Sequence, residues 1–210
     1  MNGHSGIEPM NASPPAGNPF STRRTRPGAM RFRFDHGEDE TTVVERLRAL
    51  DWWAQIVGPH GSGKSTLVAA LRPALAAAGR DVRLVGLHQG DRRLPISVEE
   101  WRRFTPATQL IVDGYEQLGP FARWRVARRC RRQGCGLLVT THTDLGFTTL
   151  FTTDPCLDLA VALVRQLLPP GDDTIGDTDI EAAWRANGGN LREMLFALYD
   201  LFEQRRAGRP

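Results

Sequence analysis

The densest chemistry in the chain lies in nine consecutive residues: Gly58, Pro59, His60, Gly61, Ser62, Gly63, Lys64, Ser65 and Thr66. Their spacing meets the pattern GxxxxGK[ST], with Gly61 added in the middle. Glycines at these positions admit positive φ and let backbone N–H groups close on an anion. A helix leaving the loop would aim its positive end at the same place. All nine residues are therefore candidate ligands of a phosphate chain. The Lys64 ammonium would reach the phosphate oxygens and the Ser65 hydroxyl would meet a hard cation such as Mg2+. Lys64 is also the only lysine among 27 basic residues. In a chain that otherwise uses arginine, it stands where a compact ammonium fits under phosphate oxygens and a planar guanidinium does not.

Two further segments bring groups suited to such a site. In LIVDGYEQL, residues 110–112 read as a buried strand and Asp113 as its polar end, placed to hold the cation through water. Glu116 is the candidate base for orienting an attacking water, with a helix cap as the alternative. In LLVTTHTD a buried strand ends at Thr141 and His142, where a hydroxyl or imidazole could sense a terminal phosphate. A solvated strand end explains His142 equally well.

Positioning these groups requires a scaffold, and 210 residues suffice for one domain with appendages. No apolar run is long enough to cross a bilayer, and the N-terminus lacks the basic-then-apolar order of a secretory signal. Cys130, Cys135 and Cys156 form neither a disulfide framework nor a CxxC pair, so a reducing cytoplasm is expected. The net charge of +3 does not indicate a nucleic-acid partner, because it does not show where the charge sits.

Strands are expected at 54–57, 82–87, 110–112, 136–141 and 148–152, with helices between them. This order implies an α/β fold with a mostly parallel five-stranded sheet covered on both faces. Residues 1–18 read as a disordered tail, and Phe32 and Phe34 alternate like a short edge strand. Thr42 with Glu45, Ser97 with Glu100, and Thr178 with Glu181 each look like a capping box. The first of these starts a helix burying Val43, Leu47 and Leu50. Pro73 should kink the helix after the glycine-rich loop or begin a second one, and Gly79 ends that run. A further helix is expected over 120–133. The Asn187-Gly188-Gly189 turn precedes a last helix capped by Asn190, whose apolar stripe runs through Leu191, Met194, Leu195, Leu198, Leu201 and Phe202.

The three strand ends, taken in order, resemble the P-loop ATPase division in which an extra strand separates the lysine loop from the aspartate strand. That division includes AAA+, ABC-type and signal-transduction (STAND, NACHT-like) ATPases, and the resemblance covers about residues 18–206. Asp113-Gly114-Tyr115-Glu116 is similar to the NACHT pattern, in which a glycine follows the aspartate and the catalytic acid comes two positions later. Gly114 departs from the adjacent Asp-Glu pair usual in AAA+ and ABC proteins. GGNLREMLFAL looks like the AAA+ lid segment whose arginine touches nucleotide, which marks Arg192. The opening Asn-Pro-Phe at 18–20 resembles the start of AAA-type ATPases of secretion and transposition systems, and VTTH at 139–142 the histidine switch of ABC ATPases. No LSGGQ-like signature precedes Asp113, and almost no room follows His142 for the helix that carries an AAA+ arginine finger. The resemblance implies a three-layer P-loop NTPase with ATP and Mg2+ as cofactors. It divides the chain into a tail (1–18), an ATPase domain (19–170) and a small C-terminal helical lid-like segment (171–210).

Hydrolysis of ATP, with Lys64 and Glu116 in catalytic roles and Ser65 and Asp113 at the metal, is the reading adopted. A nucleotide-binding module without turnover and a small-molecule phosphotransferase remain as alternatives. A protein partner or a homo-oligomer stays open. Arg125, Arg128, Arg129 and Arg132 fall on one helical face, with Phe121, Trp124 and Cys130 expected more nearly opposite. That face reads as a solvated surface in an arginine-biased chain, with nucleic-acid binding as the unsupported alternative. Trp52, Trp53, Trp101 and Trp184 are expected in the core or beside an adenine.

Overall fold

The computed structural model describes residues 17–34 and 37–208. The tail expected over 1–18 lies, up to residue 16, outside the described residues. A short turn of helix, α1 (Thr22–Thr25), and helix α2 (Glu40–Ala49) lead into an alternation of strands and helices. In order these are β1 (Trp53–Val57), α3 (Lys64–Ala77), β2 (Asp81–Gly86), α4 (Val98–Arg102), β3 (Thr108–Asp113), α5 (Pro120–Gln133), β4 (Gly136–Thr141) and β5 (Thr149–Thr152). Three helices follow: α6 (Leu157–Leu167), α7 (Asp177–Ala186) and α8 (Leu191–Ala207). The five strands form one sheet, every pair parallel, in the order β2-β3-β4-β1-β5. β4 thus lies between β1 and β3, which separates the ends of the lysine and aspartate strands by one strand.

Period-two alternation makes the layers. Ile56, Ile111 and Leu138 face α2 and α3, packing on Val43, Leu47, Leu67 and Leu71. Leu110, Val112, Leu137 and Val139 face the other way, onto Trp101, Val126 and Cys130 of α4 and α5. The central strands are buried on both faces, which is why they read as continuous apolar runs. A third core joins α6, α7 and α8 through residues such as Leu163, Ile180, Met194 and Leu198, and takes in Phe20 from the N-terminal segment. Asn18 anchors that segment, its Nδ2 donating to Tyr199 O (2.9 Å) and Glu203 Oε1 (2.8 Å). Among the described residues no helix is long and apolar enough to cross a membrane.

Several local expectations are corrected. Asp39, not Thr42, caps α2: its carboxylate accepts from Thr42 N (2.7 Å) and Thr42 Oγ1 (2.8 Å), while Glu45 pairs with Arg48. A carboxylate is the better acceptor at a helix N-terminus, and here it draws the helix start three residues earlier. Leu50 lies past the last helical residue and is only half-buried. At α7 the N-cap is Gly176, whose N–H donates to Asp179 (2.9 Å), and Glu181 turns to Arg185 instead. Pro73 neither breaks nor restarts α3, which runs on to Ala77. It sits on the exposed side, where water can take the bond its ring withholds. Phe32 and Phe34 form no strand; they meet each other edge-to-face (centroids 4.9 Å apart) and Phe151 of β5 likewise, at 5.7 and 6.2 Å. The capping box of Ser97 with Glu100 and the Asn190 cap both form.

One buried polar residue fixes the chain between β4 and β5. Gln55, fully buried in β1, donates through Nε2 to Asp144 Oδ1 (2.7 Å), Phe147 O (2.9 Å) and Thr149 Oγ1 (3.1 Å). Its Oε1 accepts from Leu145 N (3.0 Å). The same contact, with help from Gly146 N–H, holds the Asp144 carboxyl below its ordinary pKa. Gln55→Leu keeps the volume but strands these partners, so it should cost about 2–4 kcal/mol of stability. Urea unfolding measures the loss, and an unchanged midpoint would show that the segment is held by other contacts.

Candidate functional site

The turn between β1 and α3 wraps around its own lysine. Lys64 is 8% exposed, and its Nζ donates to Gly58 O (2.7 Å) and Pro59 O (2.7 Å). Burial holds the ammonium below its ordinary pKa, opposed by the nearby Glu116 and Asp113 carboxylates. The glycines are there for space and for φ. A Cβ on Gly58 would collide with Thr153, and Gly63, at the N-cap of α3, has φ +94°. Having no side chain, Gly63 leaves the first amides of α3 without a side-chain cap, open to an anion.

The aspartate strand delivers its carboxylate to the same place. Asp113 Oδ2 accepts from Ser65 Oγ (2.6 Å), joining the two residues expected at a metal. Its other oxygen accepts from Thr140 Oγ1 (2.5 Å), which in turn accepts from Gly114 N (2.9 Å). Gly114 takes φ +84° and packs against Leu87 O, where a Cβ would lie 2.7 Å away. That left-handed turn starts the 3₁₀ segment Tyr115–Gln117 and swings Glu116 back over the loop. Glycine between the two acids is thus the geometric means of bringing Glu116 to the site.

Glu116 meets His142. With the proton on Nε2, His142 donates to Glu116 Oε1 (2.7 Å), and its Nδ1 accepts from Lys64 Nζ (3.2 Å). His142 is therefore no solvated strand end. Its ring also packs on His60, centroids 3.5 Å apart. Burial first, then His142 and Lys64, hold the His60 imidazole below its ordinary pKa. The second oxygen of Glu116, Oε2, is buried with no hydrogen-bond partner among the described residues.

All these groups open into one cleft of about 690 Å³. Thr66 lines it beside the loop, and α8 closes its far side with Leu191, Arg192 and Leu195. Arg192 makes no ion pair with a described carboxylate, and its charge reaches Lys64 and His60. Pro27, Met30 and Leu159 add an apolar wall. None of Trp52, Trp53, Trp101 or Trp184 lines this cleft; each packs into or against a core.

Three polar contributors were not anticipated. Thr140, rather than Thr141, faces Asp113; Thr141 turns away to Thr143 O (2.8 Å). Strand alternation carries that signal, since Thr140 lies on the same face as Leu138. Thr153 bonds Ser62 across the loop (2.6 Å), and Asn190 sits against Gly61; no local pattern marks either pairing.

A metal held by protein alone is not what these residues offer: among the described residues no group of three His, Cys, Asp or Glu side chains is placed to bind one. Ser65 and Asp113 suit an ion that keeps waters and takes further oxygens from phosphate, as Mg2+ does. The uncapped amides, the buried ammonium and the unpartnered Glu116 oxygen fit a phosphate chain with a water beside it.

Asn190 couples helix and loop. Its Oδ1 accepts from Arg192 N (3.1 Å) and Glu193 N (3.2 Å), and a Cβ on Gly61, whose φ is +70°, would collide with that same oxygen. Gly61→Ala should cost about 2–4 kcal/mol from backbone strain and collision. Because glycine is nearly as good an N-cap, Asn190→Gly relieves the collision cheaply. In that background the Gly61→Ala cost should fall by about 1 kcal/mol or more in a thermal-unfolding cycle. Equal costs in both backgrounds would refute the contact.

No family model matches the chain and no curated protein matches it.

Proposed function

We propose that the chain is a P-loop ATPase or ATP-driven switch that binds Mg-ATP and hydrolyses it to ADP and phosphate. One observation carries the reading: a buried lysine, a serine hydroxyl on an aspartate at 2.6 Å, and a glutamate oxygen with no partner converge beneath uncapped helix amides. The placement of β4 between the lysine and aspartate strands supports the same division of P-loop ATPases.

Each residue then has a definite task. Lys64 exchanges the carbonyls of Gly58 and Pro59 for phosphate oxygens, trading neutral acceptors for charged ones. The amides of Gly61 to Thr66 hold the phosphate chain along the loop, and Arg192 approaches it from α8. Ser65 and Asp113 would hold the cation, which when bound would neutralise charge building on the phosphates. Glu116 orients a water through its free Oε2 and takes a proton from it as the water oxygen bonds to the terminal phosphorus and the bridging oxygen leaves. His142 positions Glu116 through the other oxygen. The apolar wall of Met30, Leu159 and Leu195 offers the base a dry surface. The engagement of Glu116 by His142 also favours a second reading, a module that binds nucleotide and turns it over only when His142 releases the acid.

Lys64→Ala should weaken Mg-ATP binding about 100-fold or more by calorimetry while unfolding stays cooperative. Unchanged affinity in the folded variant would sink the phosphate assignment. Glu116→Gln should retain ATP affinity and lose turnover, whereas Asp113→Asn should weaken binding and Mg2+ dependence together. Wild-type turnover in Glu116→Gln would remove Glu116 as the base, and a wild type without turnover would select the second reading.

A further inference from the structure

The surface of α5 differs from the sequence expectation. At 100° per residue, Phe121 and Trp124 fall on the same side as Arg125, Arg128 and Arg132, not opposite them; only Cys130 turns inward to the core. Both rings are exposed, Phe121 at 69% and Trp124 at 54%. They stack on each other, centroids 5.9 Å apart and planes within 21°. The Arg125 guanidinium lies 5.9 Å from the Phe121 ring and that of Arg128 5.4 Å from the Trp124 ring.

α5 has six arginines in its 14 residues and no acid. Three are engaged within the fold. Arg123 bonds Leu118 O and Glu116 O, Arg129 covers Trp101, and Arg131 covers Trp53. Arg125, Arg128 and Arg132 are free of any ion pair with a described carboxylate, and Arg125, Arg128 and Arg132 are all exposed. A genome's preference for arginine accounts for the guanidiniums but not for two large rings held out in water among them. An acidic peptide would satisfy the charges and leave the rings idle. A duplex would present phosphates while its bases stay stacked inside. A single strand supplies both halves, bases for the rings and phosphates for the guanidiniums.

The geometry points to this face of α5 as a binding surface for single-stranded nucleic acid, with Phe121 and Trp124 as the stacking platform. The assignment depends on no part of the nucleotide site. It is tested by fluorescence anisotropy on the full chain. The probes are labelled oligo-dT and oligo-U of about fifteen nucleotides, set against a duplex of equal length and polyglutamate of similar charge. At least one single strand should bind more tightly than either control. Phe121→Ala with Trp124→Ala should weaken that binding about tenfold or more with an unchanged circular dichroism spectrum, while Trp124→Phe keeps most of it. Removing Arg125, Arg128 and Arg132 together should lower the slope of log affinity against log salt by about 2. The proposal is overturned by a wild type that binds neither single strand, by a preference for duplex or polyglutamate, or by wild-type affinity in the double ring variant.

Discussion

An ammonium taken out of water has to be matched at once, and Lys64 sets that condition for everything around it. Desolvating such a cation costs several kcal/mol unless lone pairs and opposite charge surround it. Two carbonyls of its own loop and the Nδ1 of His142 supply the lone pairs. Asp113 and Glu116 supply the charge from one shell further out. None of these groups is adjacent to Lys64 in the chain. The carbonyls belong to the loop itself; His142, Asp113 and Glu116 arrive because β4 pairs with β1 and β3 with β4, in a register that ends all three strands at one edge. The loop can curl tightly enough only with glycine at 58 and 63, and the acid can return over it only because Gly114 permits a left-handed turn. Loop, strand order and glycine positions therefore answer one electrostatic requirement.

The helical core on the far side of the cleft closely approaches that loop at Gly61. Asn190 ends the turn through Gly188 and Gly189, caps α8 and rests on Gly61. A cap can shift only with the helix it caps, so displacement of the loop crown is transmitted to α8 and to Arg192 in its first turn. Phe20 and Asn18 hold the opposite end of the same helix, near Phe202 and Glu203. α8 is thus fixed at one end and registered to the phosphate loop at the other, the arrangement expected of an element that reports on what the loop holds.

Most of the sheet was readable because its strands are buried on both faces and its turns are marked by glycine. Residues 136–141 and 120–133 fall where periodicity and punctuation place them. The caps were harder, since Asp39 and Thr42 both suit the role and only the competition between carboxylate and hydroxyl decides. α6 carried its signal in Ala160, Leu163, Val164 and Leu167, spaced as a helix face, yet its continuous apolar composition resembles a buried strand equally well. Of the site, Lys64, Ser65, Asp113 and Glu116 converge as their spacing suggests. Thr153 and Asn190 contribute through long-range contacts, Thr153 to Ser62 91 positions earlier in the chain, which no local pattern encodes.

Arg123 joins the two surfaces for which functions are proposed. Its guanidinium donates to Leu118 O (2.6 Å) and Glu116 O (2.8 Å), and its own carbonyl accepts from the Tyr115 hydroxyl (2.9 Å). The turn carrying Glu116 is therefore bonded from both sides to the first turns of α5, the same turns that present Phe121 and Trp124. Tyr115 is fully buried, so this linkage has little slack. A strand stacked on those rings would load the segment that sets the distance between Glu116 and His142. Since Glu116 is held by His142 through one oxygen only, a small rotation of that turn suffices to alter the pairing. On the two proposals together, the fold places a ligand-bearing helix and a water-activating acid on one rigid corner, which is the physical requirement for either site to sense the other.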